Sequence, residues 1–465
     1  MLKPIDLSAL LFIISVFYIN SKEPSMITVP LKVLHKSFEK YPFPNKTSLI
    51  YEKEVEVQTI FGPKIRKLKE QIHGTVKRLD CLLLAAQIDI GKGQLFNVIL
   101  DTGSINLWVA GKGSNDKYHI ENHYDSSLSK FSKKTSETFD IKYGTGATKG
   151  VYYTDYISFI TQSFHDSIFG VASETYFDVD GADGIMGLAR SYSKVAYSKI
   201  FTMASKGDIS SKSFSFKFSS DSEVNMYLGD EHPDFSDESN INNTAQCKLL
   251  KGQKSSYEEI LWTCKLYQFG LINDNRTNNI TAKCEFTFLF DTGSNIMWLP
   301  IKTLDSITNQ LSQFNCKKVS IDENTYQILC EDENNLPDIF IEVGDHYLIL
   351  DKDYMFYDYN YEIENKIYKL LNVAFKSTLS IALIGQPFFR LFHTKFDYEN
   401  KVLKFYNEDS SKIIFSSTKP DEKEPFNYIY LLFAVSVAFS FLVVIFCVLR
   451  FFRKICYTNK ANKKI

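Results

Sequence analysis

Two stretches of the chain share one pattern of apolar and polar positions. Phe96-Asn97-Val98-Ile99-Leu100 ends in Asp101-Thr102-Gly103-Ser104, and Phe286-Thr287-Phe288-Leu289-Phe290 ends in Asp291-Thr292-Gly293-Ser294. Each apolar run has the length and the β-branched or aromatic content of a strand, and each Gly marks a tight turn. A second apolar patch follows each turn, Ile105-Asn106-Leu107-Trp108 and Asn295-Ile296-Met297-Trp298. The two Asp residues stand 190 positions apart, about one domain of chain, which predicts two similar lobes that each present one Asp.

The same reading places the surrounding elements. Leu82 to Ile90, the turn Gly91-Lys92-Gly93, and Leu95 to Leu100 predict a hairpin that delivers Asp101. Ile141-Lys142-Tyr143-Gly144-Thr145-Gly146, with Val151 to Ile160 returning, predicts another whose Gly-rich tip carries one Tyr. Asp183-Gly184-Ile185-Met186-Gly187-Leu188-Ala189 is echoed by Ile381-Ala382-Leu383-Ile384-Gly385, two apolar residues and a Gly that lets a neighbouring backbone come close. Strands are expected at Leu261 to Ile272, at Thr281 to Phe290 and from Leu336, and a closing hairpin at Lys395 to Leu403. Ahead of the first lobe, Ile27 to Ser37 reads as an edge strand and the run Lys64-Ile65-Arg66-Lys67-Leu68-Lys69 as helical, charged sequence.

Composition adds little to the fold and more to its setting. The 27 Tyr and 38 Phe favour strands, so an all-β protein is expected, and 465 residues suffice for two cores. Leu7 to Tyr18 is apolar but too short to span a bilayer, and fits a signal peptide over residues 1–21. Tyr428 to Leu449 is 22 residues without a charge, long enough as a helix for the roughly 30 Å hydrocarbon core. Six Lys and Arg and no acid follow it, which the positive-inside rule places in the cytosol, giving a type I single-pass protein whose body is lumenal or extracellular. The expected division is signal peptide 1–21, pro-segment 22–78, first lobe 79–240, second lobe 241–406, polar stalk 407–427, transmembrane helix 428–449 and cytosolic tail 450–465. Net charge of −2 conceals a partition: Ser21 to Asp80 carries +5, the tail +6, and residues 81–449 about −13. An acidic body excludes nucleic acid as a partner and attracts the basic segment before it. Lys77-Arg78 is a candidate processing site within that segment.

Six of the eight cysteines precede the apolar stretch, an even number suited to an oxidising compartment and without zinc spacing. Cys316 with Cys330 is the preferred pair. Cys264 with Cys284 is a cross-strand candidate, which leaves Cys81 with Cys247. Sequons begin at Asn45, Asn242, Asn275 and Asn279, as in a glycosylated, secreted body.

The repeated Asp carries the chemistry. If the lobes face each other, two carboxyls share one site and cannot both ionise cheaply, so the pair holds one proton in acid. The ionised member then takes a proton from water while the other donates to a carbonyl oxygen, and peptide hydrolysis needs both operations. No metal-ligand cluster such as His-Glu-x-x-His is present, and neither a metal nor a cofactor is expected.

These features resemble the pepsin family of aspartic proteases, in which two Asp carboxyls share one proton. The two Asp-Thr-Gly-Ser segments, Tyr143-Gly144-Thr145-Gly146, Asp183 to Ala189 and Ile384-Gly385 carry the likeness, over about Ile27 to Tyr406. Val29-Pro30-Leu31 with Ser37 is similar to the start of a pepsinogen-type pro-segment. The resemblance implies a bilobal pepsin-like fold with an interdomain cleft, plus the carboxy-terminal membrane helix, and an aspartic endopeptidase made as a zymogen. It assigns Asp101 and Asp291 as the catalytic dyad and Thr102 and Thr292 as the buried grip between lobes. Gly103 and Gly293 complete the turns, and Ser104 and Ser294 bond the outer carboxylate oxygens. Tyr143 closes over substrate with its hydroxyl near Trp108, while Gly144 and Thr145 hold an extended peptide as a strand. The body is expected to be monomeric, in a secretory or endolysosomal-type membrane or at the cell surface. The anchor is similar to that of membrane-bound secretases and of protozoan, plasmepsin-like members. Two departures stand out: the loop after Trp108 lacks a cysteine pair, and the second lobe has Ser294 and Trp298, which implies altered subsites. The alternative is a non-catalytic pepsin-fold binding protein, which would lack an Asp, the flap Tyr or a neighbouring Gly.

Overall fold

A computed structural model describes residues 27–36, 48–59, 62–73, 81–116, 120–144, 146–159, 162–176, 181–190, 199–220, 223–229, 232–250, 260–272, 280–331, 336–363 and 366–415. The expected signal peptide, Lys77-Arg78, Thr145, three of the four sequons, the apolar stretch 428–449 and the tail lie outside them. Among the described residues no helix is long and apolar enough to cross a membrane.

Strands dominate. β1 (Ile27–Lys36), β2 (Ser48–Thr59) and β3 (Gly62–His73) come first. The first lobe adds β4 (Cys81–Ile90), β5 (Gln94–Asp101), β6 (Leu107–Asp116), β7 (Lys133–Lys142), β8 (Ala147–Phe159), β9 (Gln162–Thr175), β10 (Gly184–Gly187), β11 (Ser213–Phe218) and β12 (Val224–Leu228). The second contributes β13 (Thr244–Lys248), β14 (Thr263–Ile272), β15 (Ile280–Phe290), β16 (Met297–Pro300), β17 (Lys317–Ser320), β18 (Thr325–Glu331), β19 (Asp338–Val343) and β20 (His346–Leu350). It ends with β21 (Phe356–Ile363), β22 (Lys366–Leu371), β23 (Val373–Lys376), β24 (Ala382–Ile384), β25 (His393–Asp397), β26 (Val402–Tyr406) and β27 (Ile413–Phe415).

The lobes repeat one arrangement. β5 runs parallel to β10, which is antiparallel to β6. Likewise β15 runs parallel to β24, which is antiparallel to β16. Val98, Ile99 and Leu100, and in the second lobe Phe288, Leu289 and Phe290, are all buried, so both faces of the strands leading to each Asp are covered. Beneath them lies a six-stranded sheet in the order β13-β26-β25-β11-β12-β1, with strands from both lobes. Its seam is the β11–β25 ladder, where Phe214 pairs with Phe396 and their rings stack at 4.8 Å. Trp262 meets both rings edge-on.

Several expectations need correcting. β1 is no edge strand: Ile27 to Leu31 pair with β12 and Lys32 to Lys36 with β4, so it crosses from one sheet to the next. Pro30, which has no N–H, sits where only β12 flanks the strand. The basic run is not helical; Lys64 to Lys69 lie in β3, paired along β2, and β2 adds to β17 of the second lobe. Part of the expected stalk is also folded, since β27 pairs with β20 and Ile413 is buried.

The disulfides are Cys316–Cys330, as expected, and Cys247–Cys264, which replaces both Cys264–Cys284 and Cys81–Cys247. Register explains the difference. Cys264 lies opposite Phe288, four residues from Cys284, while β13 brings Cys247 to a Cα distance of 6.2 Å.

One buried polar cluster bears on stability. His393 of β25 contacts Asp234 through Nδ1 at 2.7 Å and Ser215 through Nε2 at 2.9 Å, and Lys217 pairs with the same Asp234 oxygen at 2.8 Å. Burial pushes the His393 imidazole down from 6.5 to about 4, outweighing the opposing pull of Asp234. The folded protein therefore binds fewer protons here than the unfolded chain between those values. This stabilisation is present above about pH 6.5 and is lost as pH falls toward 4. In His393→Gln the stability lost between pH 7 and 4.5 should shrink by on the order of 2 kcal/mol, read from denaturant midpoints at each pH. Equal pH slopes in both proteins would refute it.

Candidate active site

Each Asp is fixed at a strand end by the partner motif foreseen for it. Leu188 N–H donates to the Asp101 carbonyl at 2.7 Å, and Asp291 N–H donates to the Ile384 carbonyl at 2.9 Å. The glycines that follow are there for contact. A Cβ on Gly187 would lie 2.5 Å from the Ser104 carbonyl oxygen, and one on Gly385 would lie 2.3 Å from that of Ile296.

The two turns meet. Thr102 Oγ1 donates to the Phe290 carbonyl at 2.7 Å and accepts the Thr292 N–H at 2.9 Å. Thr292 Oγ1 donates to the Leu100 carbonyl at 2.6 Å and accepts the Thr102 N–H at 3.1 Å. This reciprocal grip, with both Thr side chains buried, is what the resemblance implied. Glycine permits the carboxyls to approach: a Cβ on Gly103 would fall 2.7 Å from Asp291 Cγ, and one on Gly293 would fall 2.7 Å from Asp101 Oδ1. Each carboxyl thus covers the glycine of the opposite turn.

The surroundings of the pair are unequal. Gly103 N–H donates to Asp101 Oδ1 at 2.8 Å, and Ser104 Oγ donates to Oδ2 at 2.5 Å. Asp291 receives the Gly293 N–H at 2.9 Å, but Ser294 Oγ donates to the Ile296 carbonyl instead. Ser294 therefore does not bond the outer oxygen, a correction to the symmetric expectation. Desolvation raises both carboxyls. Asp101 is held back by its hydrogen bonds, whereas Asp291 is pushed well up by desolvation and by the Asp101 charge. Two carboxyls raised together keep one proton between them in acid, and the stronger upward push falls on Asp291.

Tyr143 extends this network. Trp108 Nε1 donates to its hydroxyl at 2.8 Å, and the hydroxyl also engages Ser104. Burial and the charge of Asp101 raise the Tyr143 phenol, so it stays protonated. Gly144 is exposed at the hairpin tip.

The turns and the Tyr143 hairpin line a cleft of about 860 Å³. Ile99 and Leu289, each two residues before an Asp, point into it with their carboxyls, a consequence of strand alternation legible in the sequence. Lys376, the last residue of β23, and Leu379 beyond it also line the cleft and carry no sequence signal that marks them. Every feature that a non-catalytic pepsin-fold protein would have lost is in place.

The eukaryotic aspartyl protease model matches residues 84–407. A probable vacuolar protease A of Trichophyton verrucosum is 26% identical over 328 residues, covering 67% of this chain and 75% of its own. Pepsin A of Gallus gallus is 29% identical over 276 residues, 56% of this chain and 66% of its own. Cathepsin D of Dictyostelium discoideum is 25% identical over 326 residues, 67% of this chain and 80% of its own. With a match that spans both Asp turns and the hairpin between them, the chain belongs to the eukaryotic aspartyl proteases and is an aspartic-type endopeptidase.

Proposed function

We propose that Asp101 and Asp291 cleave peptide bonds as one acid–base pair, in a zymogen held in a membrane by its carboxy-terminal helix. The observation that carries the catalytic assignment is the mutual contact of the two carboxyls across the turns, with unequal pull on their protons. Ionised Asp101 takes a proton from water, whose oxygen adds to the carbonyl carbon, while Asp291 gives its proton to the carbonyl oxygen. The tetrahedral diol that results is neutral. On its collapse a hydroxyl proton passes to the now ionised Asp291, and the nitrogen takes the proton held by Asp101 as the C–N bond breaks, which restores the starting state. No covalent intermediate arises. Substrate lies as an extended strand beneath Tyr143 and Gly144.

Zymogen control is supported by β1, which occupies the sheet shared by both lobes, and by the charge contrast of +5 against −13. Acid protonates the body's carboxylates and weakens that attraction. The anchor rests on residues 428–449 and the cationic tail. It places the body in the lumen of a secretory or endolysosomal-type compartment or at the cell surface, where the exposed sequon at Asn242 suits glycosylation. One experiment tests these parts separately. Membranes bearing the full chain are washed with alkaline carbonate, and the pellet is assayed from pH 7 to 4 for peptide cleavage and for loss of the amino-terminal piece. Both should rise together as pH falls. Activity in the wash would remove the anchor, pH-independent release would remove zymogen control, and absence of cleavage at every pH would remove the catalytic assignment.

A further inference from the structure

The charge within the cleft is unevenly placed, and one cation in it is unused by the dyad. Lys376 ends β23, flanked by Pro300 of β16 on one side and Thr325 of β18 on the other. The turn beyond it is pinned by Ser377, whose N–H and hydroxyl both bond Asn324, at 2.9 and 2.7 Å. Its backbone is therefore fixed on a sheet rather than on a free loop. The Lys376 ammonium stands 5.6 Å from the centroid of the Trp298 ring, and both residues line the cleft on the Asp291 side. Among the described residues it meets that ring and no carboxylate. Trp298 is, with Ser294, one of the two residues at which the second lobe departs from the pepsin pattern. An indole face attracts the cation and narrows its rotamers without neutralising it, so the charge stays available to a ligand.

We propose that Lys376, steadied by Trp298, makes this enzyme select peptides with an acidic side chain at the substrate position that lies against the Asp291 lobe. The inference rests on the peptidase reading and names its substrate class. Other charges that border the cleft are Asp140 and Lys142, on the strand leading to Tyr143, and the dyad itself. A carboxylate placed toward the dyad would meet repulsion; one placed toward Trp298 meets the Lys376 ammonium. Partial exposure limits such a pair to a modest gain, and displacement of water by the substrate backbone strengthens it.

The test uses the full chain and a quenched decapeptide library in which each position in turn is Glu or its neutral isostere Gln, at pH 5.5, above the ordinary Glu value of about 4.3. At one position the ratio of kcat/KM for Glu over Gln should be about 5 to 20, a fold-change corresponding to about 1–2 kcal/mol. That ratio should fall to about 1 in Lys376→Met, drop below 1 in Lys376→Glu, and shrink in high salt. Because each ratio is taken within one variant, loss of folded protein cancels. Arg in place of Lys376 should keep the preference, which a merely structural Lys would not require. A wild-type ratio near 1 at every position, or one unchanged in Lys376→Met, overturns the inference and leaves the peptidase reading standing. Absence of cleavage of every peptide overturns the reading and the inference with it.

Discussion

Asp101→Asn and Asp291→Asn are each expected to lower kcat/KM by at least about 10⁴-fold while leaving the fold intact. An amide fills the space of a carboxyl and still accepts the Gly103 or Gly293 N–H, so packing around the turns is kept. What disappears is the shared proton. An amide in place of Asp101 would offer no base for water, and one in place of Asp291 no acid for the carbonyl oxygen. Neither loss is repaired by the other member, because addition of water and protonation of oxygen occur together, and the two variants should be equally inactive rather than additive. Single-turnover cleavage with thermal unfolding of the same samples checks this. Residual activity above about 1% in either variant, with the protein folded, would refute the dyad.

Thr102→Val should cost about 2–5 kcal/mol of stability, although the side chain keeps its shape. Removing one hydroxyl leaves two buried partners without a hydrogen bond, the Phe290 carbonyl and the Thr292 N–H. The matching hydroxyl of Thr292 is still bonded to Leu100 and cannot turn to serve them. Since both partners belong to the turn that holds Asp291, activity should fall with stability. The urea midpoint should move down accordingly, and Thr292→Val should behave alike because its bonds are the mirror set. A double variant that costs less than the sum would follow from their shared contact. A Thr102→Val protein as stable as wild type would show that the grip is ornamental.

The dyad was legible because its signals are local: an apolar run of strand length, an Asp, and a Gly turn, each within ten residues and each present twice. The same holds for the Tyr143 hairpin and for Gly187 and Gly385. What stayed hidden depends on register and on neighbours distant in sequence. Ile65, Leu68 and Ile72 recur at helical spacing, yet β2 supplies a ladder that makes the segment a strand. Cys264 and Cys284 face across one hairpin in prospect, but the register sets Cys264 opposite Phe288, and the position of β13 decides for Cys247. Identical Ser residues after identical turns take different partners because a carbonyl at Ile296 competes for Ser294. Lys376 looks like any surface lysine until β16 and β18 close around its strand.

The sheet that carries both lobes has a mechanical consequence. Domains joined by a linker open by rotating at a hinge, with their internal ladders unchanged. Here the lobes meet along Ser213 to Phe216 and Thr394 to Asp397, hydrogen-bonded edge to edge. Widening the cleft must therefore bend and twist a continuous sheet, with the Thr102–Thr292 contact acting as a second tie above it. The opening is elastic, and its restoring force acts on the gap between the carboxyls. A long substrate that widened the cleft would strain the same ties that hold the two Asp turns together.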